Sequence, residues 1–189
     1  EAEHAHDALG SYQIAQAAIG GGTPTFLTEK ELAALFDIVA KMAHGQTPIA
    51  IEASPATATH DRISLLKERG VSRVSLGVES FDGADLKAMG RPARAADAMT
   101  ALSLLREANF ASLNIDVIYG ADGQTPQSFL GSIELALLWS PEEIYLYPLY
   151  IRPLTGLQKR GTSSTLSAWD TQRLSLYREG RTRLLAAGY

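Results

Sequence analysis

The chain of 189 residues carries a formal net charge of −4, with 46% hydrophobic and 20% charged residues. These values are ordinary for a folded domain with an apolar core, and the acidic balance argues against a broad nucleic-acid surface, which needs a basic face. No apolar run approaches the roughly 18 residues of a membrane-spanning helix, and the absence of cysteine excludes disulfides, thiolate metal sites and a thiol nucleophile within these residues.

The predicted elements alternate between strands and helices. The predicted strands are Ile14–Ile19, Pro48–Glu52, Arg73–Val78, Leu113–Tyr119 and Ile144–Pro148. The predicted helices are Glu29–Ala43, Asp61–Arg69, a short turn at Asp85–Met89, Ala95–Asn109 and Pro126–Trp139. Five strands that alternate with helices predict an α/β fold with a parallel sheet and right-handed crossovers.

Both ends of the chain have the pattern of a helix. Residues 1–10 indicate the tail of a helix that stops at Gly10, and residues 167–189 predict a long C-terminal helix. We therefore expect residues 1–189 to form a single core domain that is truncated at both ends, with its motifs between residues 14 and 155.

Three consecutive glycines, Gly20, Gly21 and Gly22, follow the first predicted strand and precede Thr23. Glycine permits positive φ and lets a ligand approach the backbone N–H and C=O groups, although a tight strand-to-helix turn would also use it. A phosphate-binding P-loop would place Lys-Ser or Lys-Thr directly after the glycines, and this chain does not. A dinucleotide-binding fingerprint is only partly matched, because Thr25 occupies the position of its third glycine.

Three carboxylates stand at or near the C-terminal ends of predicted strands. They are Glu52, Glu79 and Asp116, and period-two alternation turns them toward the face that the helices do not cover. Arg91 and Arg94 are candidate counter-charges, and salt bridges or solvent exposure are the alternative explanation for the acids. Because a carboxylate accepts hydrogen bonds from hydroxyl and ammonium groups, the pattern predicts a nucleoside ligand with an amino-acid-like end.

Several motifs occur in a fixed order that resembles one family. They are Gly20-Gly-Gly-Thr-Pro-Thr25, Ile51-Glu-Ala-Ser-Pro55, Val74-Ser-Leu-Gly-Val-Glu-Ser-Phe81, Gly90-Arg91, Asn114-Ile-Asp-Val-Ile-Tyr-Gly120 and the following Gln124-Thr-Pro. Together they resemble the radical S-adenosylmethionine (SAM) superfamily, in its oxygen-independent coproporphyrinogen III oxidase-like (HemN-like) branch. The segment that follows, from Tyr145 to Leu157, is closer to an uncharacterised bacterial subgroup of that branch.

This resemblance implies a partial TIM-like (β/α)6 barrel, of which about five parallel strands are present. It also implies a [4Fe–4S] cluster on a Cys-x3-Cys-x2-Cys loop and the reductive cleavage of SAM to a 5′-deoxyadenosyl radical. By resemblance, Gly20, Gly21, Gly22 and Thr23 line the methionyl end of SAM, and Asp116 and Glu79 hold its ribose hydroxyls. Glu52 and Arg91 fall where the family contacts SAM or a second copy of it, and Tyr150 falls at the adenine or substrate end.

The chain departs from the family pattern at two places. The first is Glu79, which stands where the porphyrinogen enzyme has Gln. The second is the missing cysteine loop: the cluster ligands are not in this chain, so the chain alone is expected to be inactive. The implied outcomes are oxidative decarboxylation, methyl transfer or cyclopropanation.

We expect a cytoplasmic protein with a small-molecule substrate and a reductant such as flavodoxin or ferredoxin, and with no nucleic-acid or membrane partner. A non-catalytic protein like the haem chaperones and a Rossmann-type nucleotide-binding oxidoreductase stay open as alternatives.

Overall fold

A computed structural model describes residues 4, 8, 14–43, 47–91, 95–150 and 166–189. The strands are β1 (Ala17–Ile19), β2 (Ile49–Ala53), β3 (Val71–Glu79), β4 (Ser112–Tyr119) and β5 (Glu143–Pro148). The helices are α1 (Glu29–Met42), α2 (His60–Glu68), α3 (Gly83–Ala88), α4 (Ala95–Ala108), α5 (Pro126–Leu137) and α6 (Leu166–Ala186), with a 3-10 turn at Pro24–Phe26. Most of the predicted helical tail at 1–10, the last residues of the 14–155 segment and Arg94 lie outside the described residues.

All five strands form one parallel sheet in the order β1-β2-β3-β4-β5. This confirms the predicted α/β class and the five parallel strands. A Rossmann sheet reverses its strand order at a switch point where the dinucleotide binds. Within the described part of the chain the order follows the sequence without reversal, as it does in a barrel. The Rossmann alternative is therefore wrong for this sheet.

Helix boundaries follow local capping chemistry. The predicted capping box at the start of α1 is confirmed, because the Thr28 side chain accepts from the Glu31 N–H and the Glu31 carboxylate accepts from the Thr28 N–H at 2.9 Å. Helix α3 begins two residues before the predicted turn, since the Asp82 carboxylate accepts hydrogen bonds from the N–H groups of Ala84 and Asp85.

Two strands begin two or more residues away from their predicted starts. Strand β1 begins at Ala17 rather than Ile14, because its partner β2 begins at Ile49 and only three residue pairs form between the two strands. Strand β3 begins at Val71 rather than Arg73 and contains two irregularities in register, one near each end. The second irregularity lies at Glu79 and shapes the site.

The core lies between the sheet and the helices. Alternate strand residues such as Val74, Leu76, Ile115 and Val117 are wholly buried there, together with Leu102 of α4. The opposite face of the sheet, here the interior face, carries the other set of alternate residues. From β2 to β5 the interior face presents Ala50, Glu52, Arg73, Ser75, Gly77, Ser112, Asn114, Asp116, Ile118, Glu143, Tyr145 and Tyr147.

No helix among the described residues is long and apolar enough to cross a membrane.

Candidate functional site

The three glycines after β1 serve two different structural needs. Gly21 and Gly22 have φ values of +88° and +117°, which side chains with a Cβ adopt only under strain. Gly20 is required for space, because a Cβ there would lie 2.8 Å from Oε1 of Glu52. The Glu52 carboxylate therefore lies directly against the first glycine, and the structure brings these two predicted site residues together.

A threonine pair anchors the loop that follows the glycines. Thr23 precedes the 3-10 turn, and its carbonyl accepts from the Phe26 N–H at 2.8 Å. Thr25 is buried, and its hydroxyl lies 2.6 Å from the hydroxyl of Thr57 in the loop after β2. This contact ties the glycine loop to the segment that carries Glu52. Thr25 was in the quoted motif, but nothing in its local pattern predicted a structural partner 32 residues away.

Glu79 occupies a strained turn at the end of β3. Its φ is +68°, and the Ser80 N–H donates to the Val78 carbonyl at 2.8 Å across it, which is a γ-turn of the rare positive-φ kind. The register shifts at the same point, since Gly77 pairs with Asp116 whereas Glu79 pairs with Val117. Bulges of this kind are common next to active sites, where they change the direction of a side chain. The positive φ of Glu79 costs roughly 1–3 kcal/mol, because the residue has a Cβ.

Arg91 meets Glu79 as a direct ion pair. Its Nε lies 2.9 Å from Oε2 of Glu79. The loop after α3 aims the guanidinium, because Gly90 has a φ of +72° and the Arg91 N–H donates to the Leu86 carbonyl at 2.9 Å. Arg91 was one of the two predicted counter-charges, and the structure brings it to the predicted carboxylate.

Asp116 lies in a hydrogen-bonded group at the centre of the interior face. Its Oδ2 accepts from the Ser75 hydroxyl at 2.9 Å, and its Oδ1 accepts from Nδ2 of Asn114 at 2.5 Å. Asn114 also donates from Nδ2 to the Ser75 oxygen at 2.6 Å. Strand alternation predicted that all three residues share this face, but it carried no signal for the hydrogen bonds.

The three predicted carboxylates influence one another electrostatically. The pKa of Glu79 is raised, mainly by burial and also by the negative charge of Asp116. The Arg91 guanidinium acts in the opposite direction. The pKa of Asp116 is likewise raised, mainly by burial and also by the charge of Glu52. The hydrogen-bond donors on Asn114 and Ser75 act in the opposite direction. Carboxylates with perturbed pKa values cluster at functional sites, and a cationic or hydrogen-bond-donating group beside them would favour their ionised form.

The tyrosines in β5 and just after it divide between two environments. Tyr150 is 69% exposed and stacks on the Arg173 guanidinium of α6, so its described contacts do not include the carboxylates. Tyr147 was not predicted as a site residue, yet burial and the charge of Asp116 both raise the pKa of its phenol. Its register opposite Ile118 places it on the interior face, and the same alternation that identified Asp116 could have identified it.

An ion pair on the interior face was also missed. Arg73 of β3 binds Glu143 of β5 through two nitrogens, at 2.7 Å and 3.1 Å, across the strand between them. This guanidinium holds the pKa of Glu143 at about 2, and its positive charge also lowers the pKa of Asp116. Arg73 opened a predicted strand, but its partner lies 70 residues away and has no sequence signal.

A buried network fixes the loops at the carboxyl ends of β3 and β4. Asp85 is 3% exposed and accepts from Nε2 of Gln124 at 2.9 Å and from the Ser128 hydroxyl at 3.1 Å. Gln124 also accepts from the Gly120 N–H at 2.7 Å. The Gln-Thr-Pro motif was recognised in the sequence, and the structure explains its glutamine as a clamp on the loop that follows Asp116.

The donor set distinguishes the two cofactors that the resemblance implies. The chain has no cysteine, and the described residues contain no group of three or more His, Asp or Glu residues that could hold a metal ion. The residues present therefore do not fit a [4Fe–4S] cluster, which needs thiolates. They do fit SAM, because its ammonium and sulfonium are cationic and its ribose offers two hydroxyl donors to carboxylates.

The "Radical SAM superfamily" family model matches residues 2–136. Among curated relatives, the chain is 36% identical over 140 residues to "Heme chaperone HemW" of Bacillus subtilis, covering 72% of this chain and 37% of that protein. It is 29% identical over 180 residues to "Oxygen-independent coproporphyrinogen III oxidase" of Pseudomonas aeruginosa, covering 93% of this chain and 39% of that protein. The chain thus spans about two fifths of the length of these relatives.

The fold is also similar to a solved structure of coproporphyrinogen III oxidase (HemN) from Escherichia coli, described as a radical SAM enzyme. The TM-score is 0.86 at 25% identity, and the match covers 100% of this chain and 44% of that one. This agrees with the predicted partial TIM-like barrel, of which the five parallel strands are the described part.

Proposed function

Because the chain belongs to the radical SAM superfamily, we propose that its glycine run and interior-face carboxylates bind SAM in an enzyme of the HemN-like branch. The observation that carries the proposal is the convergence of Glu52 on Gly20, of Arg91 on Glu79, and of the three carboxylate charges on one another. These residues come from five different segments of the chain. An accidental set of exposed strand ends would not include a strained residue such as Glu79.

Each group has a role that follows from its chemistry. The backbone at Gly21, Gly22 and Thr23 offers N–H and C=O groups, free of Cβ atoms at the glycines, to the methionyl end of SAM. Asp116 and Glu79 accept hydrogen bonds from the ribose hydroxyls, and Glu52 adds negative charge toward the sulfonium and ammonium.

Arg91 holds Glu79 in place and, at 53% side-chain exposure, is accessible to the SAM carboxylate. We assign Tyr150 to the adenine or substrate end on resemblance alone.

The acidic balance suits the net charge of the ligand. At neutral pH SAM carries one carboxylate, one ammonium and one sulfonium, so it is a net cation. Three carboxylates against one guanidinium leave the site negative, which favours a cation over a neutral nucleoside.

The proposed reaction belongs to the intact protein. In this family a [4Fe–4S] cluster supplies the electron for reductive cleavage of SAM to a 5′-deoxyadenosyl radical, and its thiolates are not among these 189 residues. The part proposed for this chain is to bind SAM and orient its ribose. The radical would then act on a small organic substrate by oxidative decarboxylation, methyl transfer or cyclopropanation, with an electron from a flavodoxin or ferredoxin in the cytoplasm.

Anaerobic reconstitution of the intact protein with iron and sulfide, followed by an assay for 5′-deoxyadenosine, tests this proposal. We expect cluster absorbance and deoxyadenosine that depends on a low-potential reductant. The proposal is refuted if neither cluster absorbance nor deoxyadenosine is detected under conditions where a known radical SAM enzyme gives both.

The likeness to a haem chaperone supports a second candidate, a non-catalytic haem-binding role for the intact protein. Haem titration followed by absorbance separates the two. Stoichiometric haem binding without deoxyadenosine would favour the chaperone-like role, whereas deoxyadenosine formation without haem binding would favour the enzyme.

A further inference from the structure

Asp116, Asn114 and Ser75 form a closed ring of three hydrogen bonds on the interior face. Ser75 and Asn114 are register partners on β3 and β4, and Asp116 is the next interior residue along β4. Asn114 is wholly buried and Ser75 is 7% exposed. Such burial is unusual for polar side chains unless their hydrogen bonds are made.

Two of the three hydrogen bonds in the ring are donated to the carboxylate. The two N–H groups of Asn114 go to Asp116 and to Ser75, at 2.5 Å and 2.6 Å. The Ser75 oxygen accepts from Asn114, so its single hydrogen is free to donate to Asp116 at 2.9 Å. Each carboxylate oxygen thus receives one hydrogen bond from the protein and keeps its remaining acceptor capacity for a ligand.

The ring carries a cost in stability. Oδ1 of Asn114 is buried and has no hydrogen-bond partner, and an unsatisfied buried acceptor destabilises a fold. The amide cannot be reversed to repair this, because Nδ2 would then leave both Asp116 and Ser75 without their donor. Asn114 therefore supports the carboxylate at the expense of its own oxygen, which is typical of a side chain kept for function.

We propose that Ser75 and Asn114 are positioning residues that hold the Asp116 carboxylate ionised and oriented so that it accepts the ribose hydroxyls of SAM. This inference rests on the proposed function, since it concerns how the same site prepares its acceptor. The donors act through Asp116 and do not need to touch the ligand. A carboxylate fixed at both oxygens loses little freedom when the ligand arrives.

Other charged and titratable groups act on Asp116 from the neighbouring strands. They are Glu52 of β2, Arg73 and Glu79 of β3, and Tyr147 of β5. Two carboxylates disfavour the ionised form and one guanidinium favours it, so the neighbours do not secure the charge of Asp116 by themselves. The two ring donors are the groups that touch the carboxylate directly.

The test is the pH dependence of SAM affinity, measured anaerobically by calorimetric titration of the intact protein between pH 5 and 8. The variants are Ser75→Ala and Asn114→Leu, each of which removes one donor to the carboxylate. Because fewer donors favour the protonated form, affinity should begin to fall at a higher pH in both variants, by about one pH unit. At a pH within that window, binding should weaken by up to about tenfold relative to the parent protein.

Two controls make the readout specific. Ser72→Ala lies on the same strand and removes a hydroxyl that donates to the Ile49 carbonyl, so its pH profile should match that of the parent. Asp116→Asn should lose the part of the pH dependence that Asp116 contributes, and the titration of Glu79 accounts for the part that remains. Thermal unfolding checks that each variant is folded. If Asn114→Leu does not fold, the pH dependence of SAM affinity in Ser75→Ala is the test of the inference.

An unchanged profile in the folded ring variants would overturn the inference, and so would a loss of affinity that is equal at every pH, which a structural role alone predicts. A pH profile in Asp116→Asn that is identical to that of the parent protein would also overturn it. If the parent protein binds no SAM at any pH, the proposed function itself is refuted.

Discussion

Replacing Asp116 by Asn separates what this residue does for the site from what it does for the fold. The new amide keeps the shape of the carboxyl group, and it can accept from Asn114 at its oxygen and donate to the Ser75 oxygen from its nitrogen. The hydrogen-bond ring is therefore retained in one orientation, whereas the charge is lost.

We expect the substitution to weaken SAM binding. A hydrogen bond to a charged acceptor contributes roughly 1–3 kcal/mol, which corresponds to roughly a five- to 150-fold rise in Kd. Calorimetric titration at pH 7 measures this directly.

We expect the same substitution to raise stability at pH 7. Burial raises the pKa of Asp116 in the folded state, so the ionised side chain opposes folding at any pH above its ordinary value of about 3.9. Removing the charge also removes the repulsion from Glu52 and Glu79. The gain should vanish as the pH falls toward 4 and below, where the carboxyl group is protonated in both states.

Thermal unfolding of the two proteins at pH 7 and pH 4 provides the comparison. A lower melting temperature at pH 7 together with unchanged SAM affinity would refute the reasoning on both counts. It would mean that Asp116 is a structural residue that the ligand does not contact.

Two further predictions concern the glycine run and the ion pair of the interior face. Gly21→Ala should destabilise the fold by about 1–2 kcal/mol, because its φ of +88° is unfavourable for a residue with a Cβ. As a control, Gly131→Ala on the open surface of α5 should stabilise the fold by about 0.5–1 kcal/mol. Equal changes in the free energy of unfolding, measured in denaturant, would contradict the strain argument. Arg73→Met should cost about 1 kcal/mol at pH 7. Because the pKa of Glu143 is held at about 2, this difference should be full above pH 5 and disappear as the pH falls toward 2, and a difference independent of pH would argue against the ion pair.

The fold was predictable from the sequence where the determining interactions are local. The capping box at Thr28 and Glu31 lies within four residues, and the alternation of apolar residues in β4 is a property of the strand itself. The order of the strands followed from the repeated strand–helix pattern. Strand β1 was predicted too long because its length depends on where its partner β2 begins, which is a non-local property.

The sequence indicated which residues share the interior face, but it did not indicate what brings Glu79 toward Asp116. Period-two alternation placed Glu79 with Ser75 and Gly77, but the structure brings it near Asp116 through a bulge and a γ-turn. Glu79 carries no sequence signal for positive φ, since glycine is the residue that usually reveals it. The strain is therefore visible only in the structure.

The contacts that were missed join distant segments of the chain. Arg73 with Glu143 and Asp85 with Gln124 are pairs separated by 70 and 39 residues. Each residue alone is an ordinary polar residue in a strand, helix or loop. Only the folded sheet shows that the first pair lies on the interior face and that the second fixes the loops above it.

The most direct test of the central claim, that this glycine-edged and carboxylate-lined site binds SAM, is calorimetric titration of the intact, anaerobically prepared protein with SAM and with S-adenosylhomocysteine. The two ligands share adenosine and the amino-acid end, and they differ in the methyl group and the positive charge at sulfur. The account predicts that SAM binds, that it binds severalfold more tightly because the site is negative, and that Asp116→Asn weakens both ligands. The account is contradicted if SAM does not bind, or if Asp116→Asn leaves the affinity for SAM unchanged.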